Sequence, residues 1–117
     1  MAKAVRATDP RRRKLIQDCW KTKRSFWKNV SRFLLKARST RVIINLGKID
    51  KYSEAADIVL VPGKVLSSGE LTHPITLAAF SYSKKALKKI TQLGGEFLSI
   101  EELMKRNPTG TKVKLIT

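Results

Sequence analysis

Two clusters of cations stand out for their placement: Arg11-Arg12-Arg13-Lys14, directly after Asp9-Pro10, and Lys64, directly after Pro62-Gly63. Guanidinium and ammonium groups of this kind neutralise and orient phosphate. Asp9-Pro10 reads as a helix start, an N-cap acceptor followed by proline at the first helical position. Cations in that first turn oppose the positive end of the helix dipole, at a cost of about 0.3–1 kcal/mol each at low salt. A phosphate bound there would reverse the balance, because free N–H groups and cations would converge on it. A solvated basic helix end is the plainer alternative, and the charge of the whole chain favours the phosphate. Further cations follow along the chain. Lys3 and Arg6 sit in the first seven residues, and Lys21, Lys23 and Arg24 form a short link. Lys28, Arg32 and Lys36 recur every four residues as one ridge, Arg38 extends it, and Arg41 precedes the next element.

Residues that could support catalysis are not spaced for it. Gly63-Lys64 is no P-loop, since Val65 stands where Ser or Thr is needed and Ile58 where Gly is needed. One cysteine and one histidine cannot build an ordinary zinc site. Cys19 falls on the apolar face of a helix, where thiols are inert. His73, beside Pro74, reads as a structural or surface imidazole. Glu101 and Glu102 read as cap and dipole partners of a short helix and not as an acid–base pair. No Ser/His/Asp set is apparent. The expectation is no enzyme activity, no cofactor, no metal and no small-molecule substrate.

The elements that must hold the cations follow from periodicity. A first helix runs from Pro10 to about Lys21 with Leu15, Ile16, Cys19 and Trp20 on one face. Ser25 caps a second helix over residues 26–38, whose apolar face is Phe26, Trp27, Val30, Phe33, Leu34 and Ala37. Trp27 and Phe33 could stack on bases, but aromatic residues at helical spacing belong more often to a core. Residues 42–46 and 58–61 are short, β-branched runs and read as strands. The second has no alternating polar residue, as in a strand covered on both faces. Pro62 is expected to end it, which would place Lys64 on a tight loop. Gly47 marks a close backbone approach or bend, and residues 48–56 a connector with a helical turn near 52–56. Val65-Leu66 is a further extended piece.

Beyond it, residues 75–80 form a third strand. Ser83 caps a helix with Ala86, Leu87, Ile90 and Leu93 inward and Lys84, Lys85, Lys88 and Lys89 outward, stopped at Gly94-Gly95. Phe97-Leu98 is a short strand, Ser99-Ile100-Glu101-Glu102 a capping box, and residues 112–115 a half-exposed last strand. The pattern is α/β, with short mixed strands after a basic helical segment.

The 117 residues suit one domain with a modest core. The charge is unusual: 25 Lys+Arg against 9 Asp+Glu, a net +16. Residues 1–41 hold 14 of the cations against 2 acids, and residues 42–117 hold 11 against 7. The chain thus divides into a basic N-terminal helical arm, 1–41, and an α/β core, 42–117, within one structural unit. So large an excess is expected where a polyanion neutralises it. Nucleic acid comes first and an anionic membrane surface second. Charge spread into the loops argues against the membrane, and no apolar run approaches the roughly 20 residues of a membrane span. No signal-peptide core is present, and a lone cysteine fits a reducing, intracellular setting. Composition alone fits a free-standing DNA-binding or chromatin-type protein as well as an RNA-binding one.

The stretch around the second strand narrows this. Asn45-Leu46 with Lys48-Ile49, then Asp57-Ile58-Val59-Leu60-Val61-Pro62-Gly63-Lys64-Val65-Leu66, then Gly69-Glu70-Leu71, resembles the "eighteen-e" protein family of the archaeal and eukaryotic large ribosomal subunit, which is related to bacterial large-subunit protein fifteen. Residues 75–79, Gly94-Gly95-Glu96, and Glu101-Glu102-Leu103 leading to Asn107-Pro108 extend the likeness over essentially the whole chain. The resemblance implies a structural ribosomal protein of the cytoplasmic ribosome, with large-subunit ribosomal RNA and neighbouring ribosomal proteins as partners. It implies an irregular β-β-α superhelical core behind the basic helical segment. It makes Pro62, Gly63, Lys64 and the basic helices the expected RNA contacts, and transfers no catalytic residue. The short chain lacks the extensions of eukaryotic members and so looks archaeal.

Overall fold

In the computed structural model of the chain, residues 10–36 and 41–117 are described. The helix start at Asp9, the position of Ala37 and the cations Lys3, Arg6 and Arg38 lie outside the described residues. Helix α1 (Pro10–Lys21) and α2 (Ser25–Leu34) come first. Strand β1 (Val42–Asn45), α3 (Leu46–Tyr52) and β2 (Ile58–Leu66) follow, then β3 (Thr76–Tyr82), α4 (Lys84–Gln92), β4 (Glu96–Ser99), α5 (Ile100–Arg106) and β5 (Val113–Leu115). The mixed α/β class expected from the pattern is the class observed.

All pairings in the sheet are parallel, in the order β1-β2-β3-β4, with β5 also on β2. β2 is the axis, and its outer edge is shared. Residues 58–60 pair with β5, and residues 63–66 pair with β1. Its other edge pairs with β3 along most of its length. Alternating β2 side chains enter two cores, as expected of a parallel strand covered on both sides. Val59, Val61 and Val65 join Ile49 of α3 and Ala86 and Ile90 of α4. Leu60 joins Leu15, Ile16 and Cys19 of α1, Trp27, Val30 and Leu34 of α2, and Ile100 and Leu103 of α5. The two basic helices therefore seat their apolar faces directly on the sheet.

Five local expectations are corrected. Pro62 does not end the second strand, and Lys64 is not on a loop: β2 runs through both, with a register shift between Val61 and Lys64. Three steps on β2 match two on β3, from Ala79 to Ser81, so an extra residue bulges there. A bulge at the change of edge partner tolerates a residue with no N–H to donate. Pro62 and Gly63 are both buried. A Cβ on Gly63 would overlap the Val42 carbonyl, so glycine lets β1 approach this closely.

The second helix ends at Leu34, where Leu35 is its C-cap and Lys36 N–H bonds back to Phe33 O in a tighter turn. Ser25 is not its cap. Arg24 holds that position, with no side-chain cap bond, after a corner at Lys23 (φ +57°). Helix α3 starts at Leu46 and ends at Tyr52, earlier than the turn placed near 52–56. Gly47 permits this start. Its N–H donates to Ser68 O at 3.0 Å, and its backbone lies against Gly69, whose added Cβ would stand 2.6 Å from Gly47 Cα. The close approach expected at Gly47 is thus observed. Ser83 and Ser99 cap α4 and α5 as read, Ser99 in a full capping box with Glu102.

Candidate nucleic-acid interface

The four cations at the start of α1 do not act together. Arg11 turns onto the core surface. Its Nε and Nη2 donate to the Glu101 carboxylate at 2.9 and 3.0 Å, and Nη1 donates to Phe80 O at 2.7 Å. A two-pronged pair of this kind fixes geometry as well as charge. Arg12 is buried, 5% exposed, and its Nη1 donates to Leu34 O at 3.0 Å. It thereby satisfies a carbonyl at the C-terminal end of α2, where a cation is favoured by the helix dipole. Both guanidinium groups stand 4.2 Å from the centroid of the Phe80 ring. Arg13 and Lys14 remain exposed, and Lys14 approaches Asp18 at 3.3 Å. The expected four-cation phosphate site at the helix start is therefore split between two packing residues and two outward ones.

A different grouping forms further along the sheet. Arg12, Arg41 and Lys64 line one cleft of about 320 Å³, together with Ile43, Phe80 and Ser81. The strands set its floor: Ile43 of β1, Lys64 of β2 and Ser81 of β3 are register partners in one cross-sheet row. Lys64 and Ile43 are exposed, Ile43 to 58%. Among the described residues no carboxylate lines the cleft. Arg41 Nε is buried with no hydrogen-bond partner among the described residues. Two of these cations come from the basic first third and one from the β2 bulge. Pro62 and Gly63 shape that bulge, and both are buried; Gly63 nonetheless lines the cleft beside Lys64, whereas Pro62 does not. This three-way meeting is invisible in the sequence, because it depends on the bulge register and on α1 lying over the sheet.

The remaining sequence-selected cations are distributed along the helical surface. Lys21, Lys23, Arg24 and Arg32 are exposed, and Arg32 donates to Asn29 Oδ1 at 3.1 Å. Lys28 lies half-buried with its Nζ 5.5 Å from the Trp20 ring centroid, and Lys36 Nζ stands 5.0 Å from Phe33. Trp27 is fully buried and donates Nε1–H to Pro108 O at 2.9 Å, in keeping with the core reading. Most of the described acids, by contrast, are engaged within the chain. Arg106 grips Glu96, Lys114 meets Asp57 at 2.7 Å, and Glu102 accepts from Ser99 N–H. Those bonds hold the carboxyls of Glu96, Asp57 and Glu102 below the usual carboxylate range. Internal pairing of acids leaves the cation excess facing outwards.

Ser53, His73 and Asp50 do come together, which the sequence had not indicated. Ser53 Oγ lies 2.9 Å from His73 Nε2, and His73 Nδ1 lies 3.2 Å from Asp50 Oδ1. The order is that of a catalytic triad, but the chemistry is not. Ser53 is buried and its hydroxyl donates to Ile49 O at 2.6 Å, one turn back in α3. Its proton is thus committed to the backbone, where a nucleophile's would go to the imidazole. Asp50 also accepts from Thr72 N–H and the Thr72 hydroxyl, which lower its carboxyl. The set ties the end of α3 to the segment before β3. Burial pushes the Cys19 thiol up to about 12, helped by Asp18 and Glu101, so it stays protonated. Among the described residues no group of three His, Cys, Asp or Glu could hold a metal, and no helix is long and apolar enough to cross a membrane.

Comparison with known proteins gives a family likeness. Residues 11–117 match the family model described as ribosomal protein 60S L18 and 50S L18e. The chain is similar to the large ribosomal subunit protein eL18 of Archaeoglobus fulgidus, 43% identical over 87% of each chain. It is 39% identical to that of Methanococcus maripaludis over 97% of this chain and 98% of the relative. With the Pyrobaculum aerophilum protein of the same name it shares 41% over 79% of this chain and 75% of the relative.

Proposed function

Because the chain belongs to the ribosomal protein 60S L18 and 50S L18e family, we propose that it is a structural constituent of the large ribosomal subunit that binds ribosomal RNA through its cationic cleft and basic helices. The family is one of structural proteins and not of enzymes. The single observation that carries the RNA reading is the cleft itself. Three cations from three parts of the chain, Arg12, Arg41 and Lys64, converge with no carboxylate of the described residues among them. Arg12 is preset by its bond to Leu34 O, so little ordering remains to be done on binding. Phosphate contacts of this kind supply affinity and register, while RNA shape supplies recognition. The exposed cations of α1 and α2 would extend the contact along the backbone. The partners are large-subunit ribosomal RNA and adjoining ribosomal proteins, and the location is the cytoplasmic ribosome.

Affinity for a large-subunit RNA fragment, measured across salt concentrations, tests the reading. Binding should fall about 10³–10⁵-fold between 50 and 200 mM salt, as expected for roughly 6–10 phosphate contacts. Lys64→Ala combined with Arg41→Ala should weaken binding at every salt and flatten the slope by about two contacts' worth, without lowering the melting temperature. A flat salt curve, or a preference for duplex DNA over structured RNA, would overturn the proposal.

A further inference from the structure

On the opposite side of the sheet, α4 and the edge strand β4 bound an open groove of about 580 Å³. Lys84, Lys85, Leu87, Lys88 and Phe97 line it. In β4, Leu98 enters the core beneath α1, α2 and α5, so its neighbour Phe97 turns towards α4 and is 44% exposed. The ring is braced by a T-shaped contact with Tyr82, the centroids 5.8 Å apart and the planes at 63°. Tyr82 is held in turn by its hydroxyl, 2.8 and 2.7 Å from the carbonyls of Leu77 and Leu98. Lys89 of the same helix points elsewhere, donating to the carbonyls of Ser67 and Gly69. Lys84, Lys85 and Lys88 make no ion pair with any described carboxylate. Two of them occupy a first turn that contains no acid, against the helix dipole.

A braced, partly exposed aromatic ring sharing a groove with three ammonium groups that pair with no described carboxylate suits an unpaired nucleotide. The base covers the ring and the flanking phosphates meet the lysines. An acidic protein segment would satisfy the lysines but has no planar group to cover Phe97. We propose that this groove is a second RNA site, which takes an unpaired ribonucleotide by stacking on Phe97, so that the protein grips RNA on both faces of its sheet. The proposal rests on RNA being the ligand, as above, but not on the cleft at Lys64.

The test uses the full chain and a fluorescently labelled single-stranded hexauridylate, followed by anisotropy. Phe97→Ala should weaken binding about 5- to 100-fold, the loss expected for one base–aromatic stack, and Phe97→Trp should restore it. Because Phe97 lies at an exposed strand edge, both variants should melt with the wild type. In an Arg41→Ala, Lys64→Ala background, which should weaken binding of structured RNA, Phe97→Ala should still lower hexamer binding by the same factor, so the two sites fail independently. Hexamer binding that Phe97→Ala does not change overturns the proposal. So does a polyglutamate peptide that occupies the groove in preference to the hexamer, which would assign the surface to a protein partner.

Discussion

Arg11, Arg12, Arg13 and Lys14 are adjacent in sequence and share a charge, yet they have three different surroundings. Arg11 joins α1 to Glu101 and to Phe80 O, Arg12 closes the end of α2 from inside, and Arg13 and Lys14 face outwards. One hundred degrees of rotation per residue separates neighbours on a helix, so a run of four cations cannot present one face. A stability measurement distinguishes them. Arg12→Ala leaves Leu34 O without its buried charged donor and should cost about 1.5–3 kcal/mol in urea unfolding. Arg13→Ala, at an exposed site, should change stability by no more than about 0.5 kcal/mol. If both variants unfold alike, Arg12 is a surface residue and the cleft loses its fixed wall.

At the scale of elements, β2 decides how the molecule is assembled. With a single bulge, one strand serves β5 with its first half, β1 with its second and β3 along most of its length. Gly63 is the residue on which this depends, because any side chain there meets the β1 backbone at Val42 O. Gly63→Ala should therefore destabilise by at least about 1–3 kcal/mol, the range for an overpacked interior. It should also weaken RNA binding, because moving β1 moves Ile43 and Arg41 away from Lys64. A variant with unchanged melting temperature would mean that β1 is not seated as described. The composition of residues 58–66 showed a buried strand, a proline and a glycine. The reading that proline stops a strand was reasonable for a uniform ladder and failed because the partner changes at that point.

For the whole molecule, the balance of charge sets the response to pH. Asp50, Asp57, Glu96 and Glu102 all have carboxyls lowered by native bonds: Thr72 for Asp50, Lys114 for Asp57, Arg106 for Glu96 and Ser99 for Glu102. A carboxyl lower in the folded state stabilises the fold above its unfolded value, near about 4. That contribution is lost as pH falls through the folded values. Protonation also raises a net charge that is already +16, which adds self-repulsion. Melting temperature should be level from neutral pH to about 5 and drop steeply below about 4. A melting temperature that holds to pH 2 would show that these pairs contribute nothing to folding.

The class of the fold, the helix caps at Ser83 and Ser99, the covered second strand and the excess of cations were all legible in the chain itself. Each depends on residue type and local spacing, which act over one or two turns of backbone. The conversion of a presumed loop into a bulge, the burial of Arg12 and the joining of Arg12, Arg41 and Lys64 were decided only when the sheet closed. So was the placing of Phe97 among three lysines of α4. Those features arise from register and from layers stacked across the sheet, between residues tens of positions apart. Periodicity records which face a residue takes, but it holds no information about what lies opposite that face.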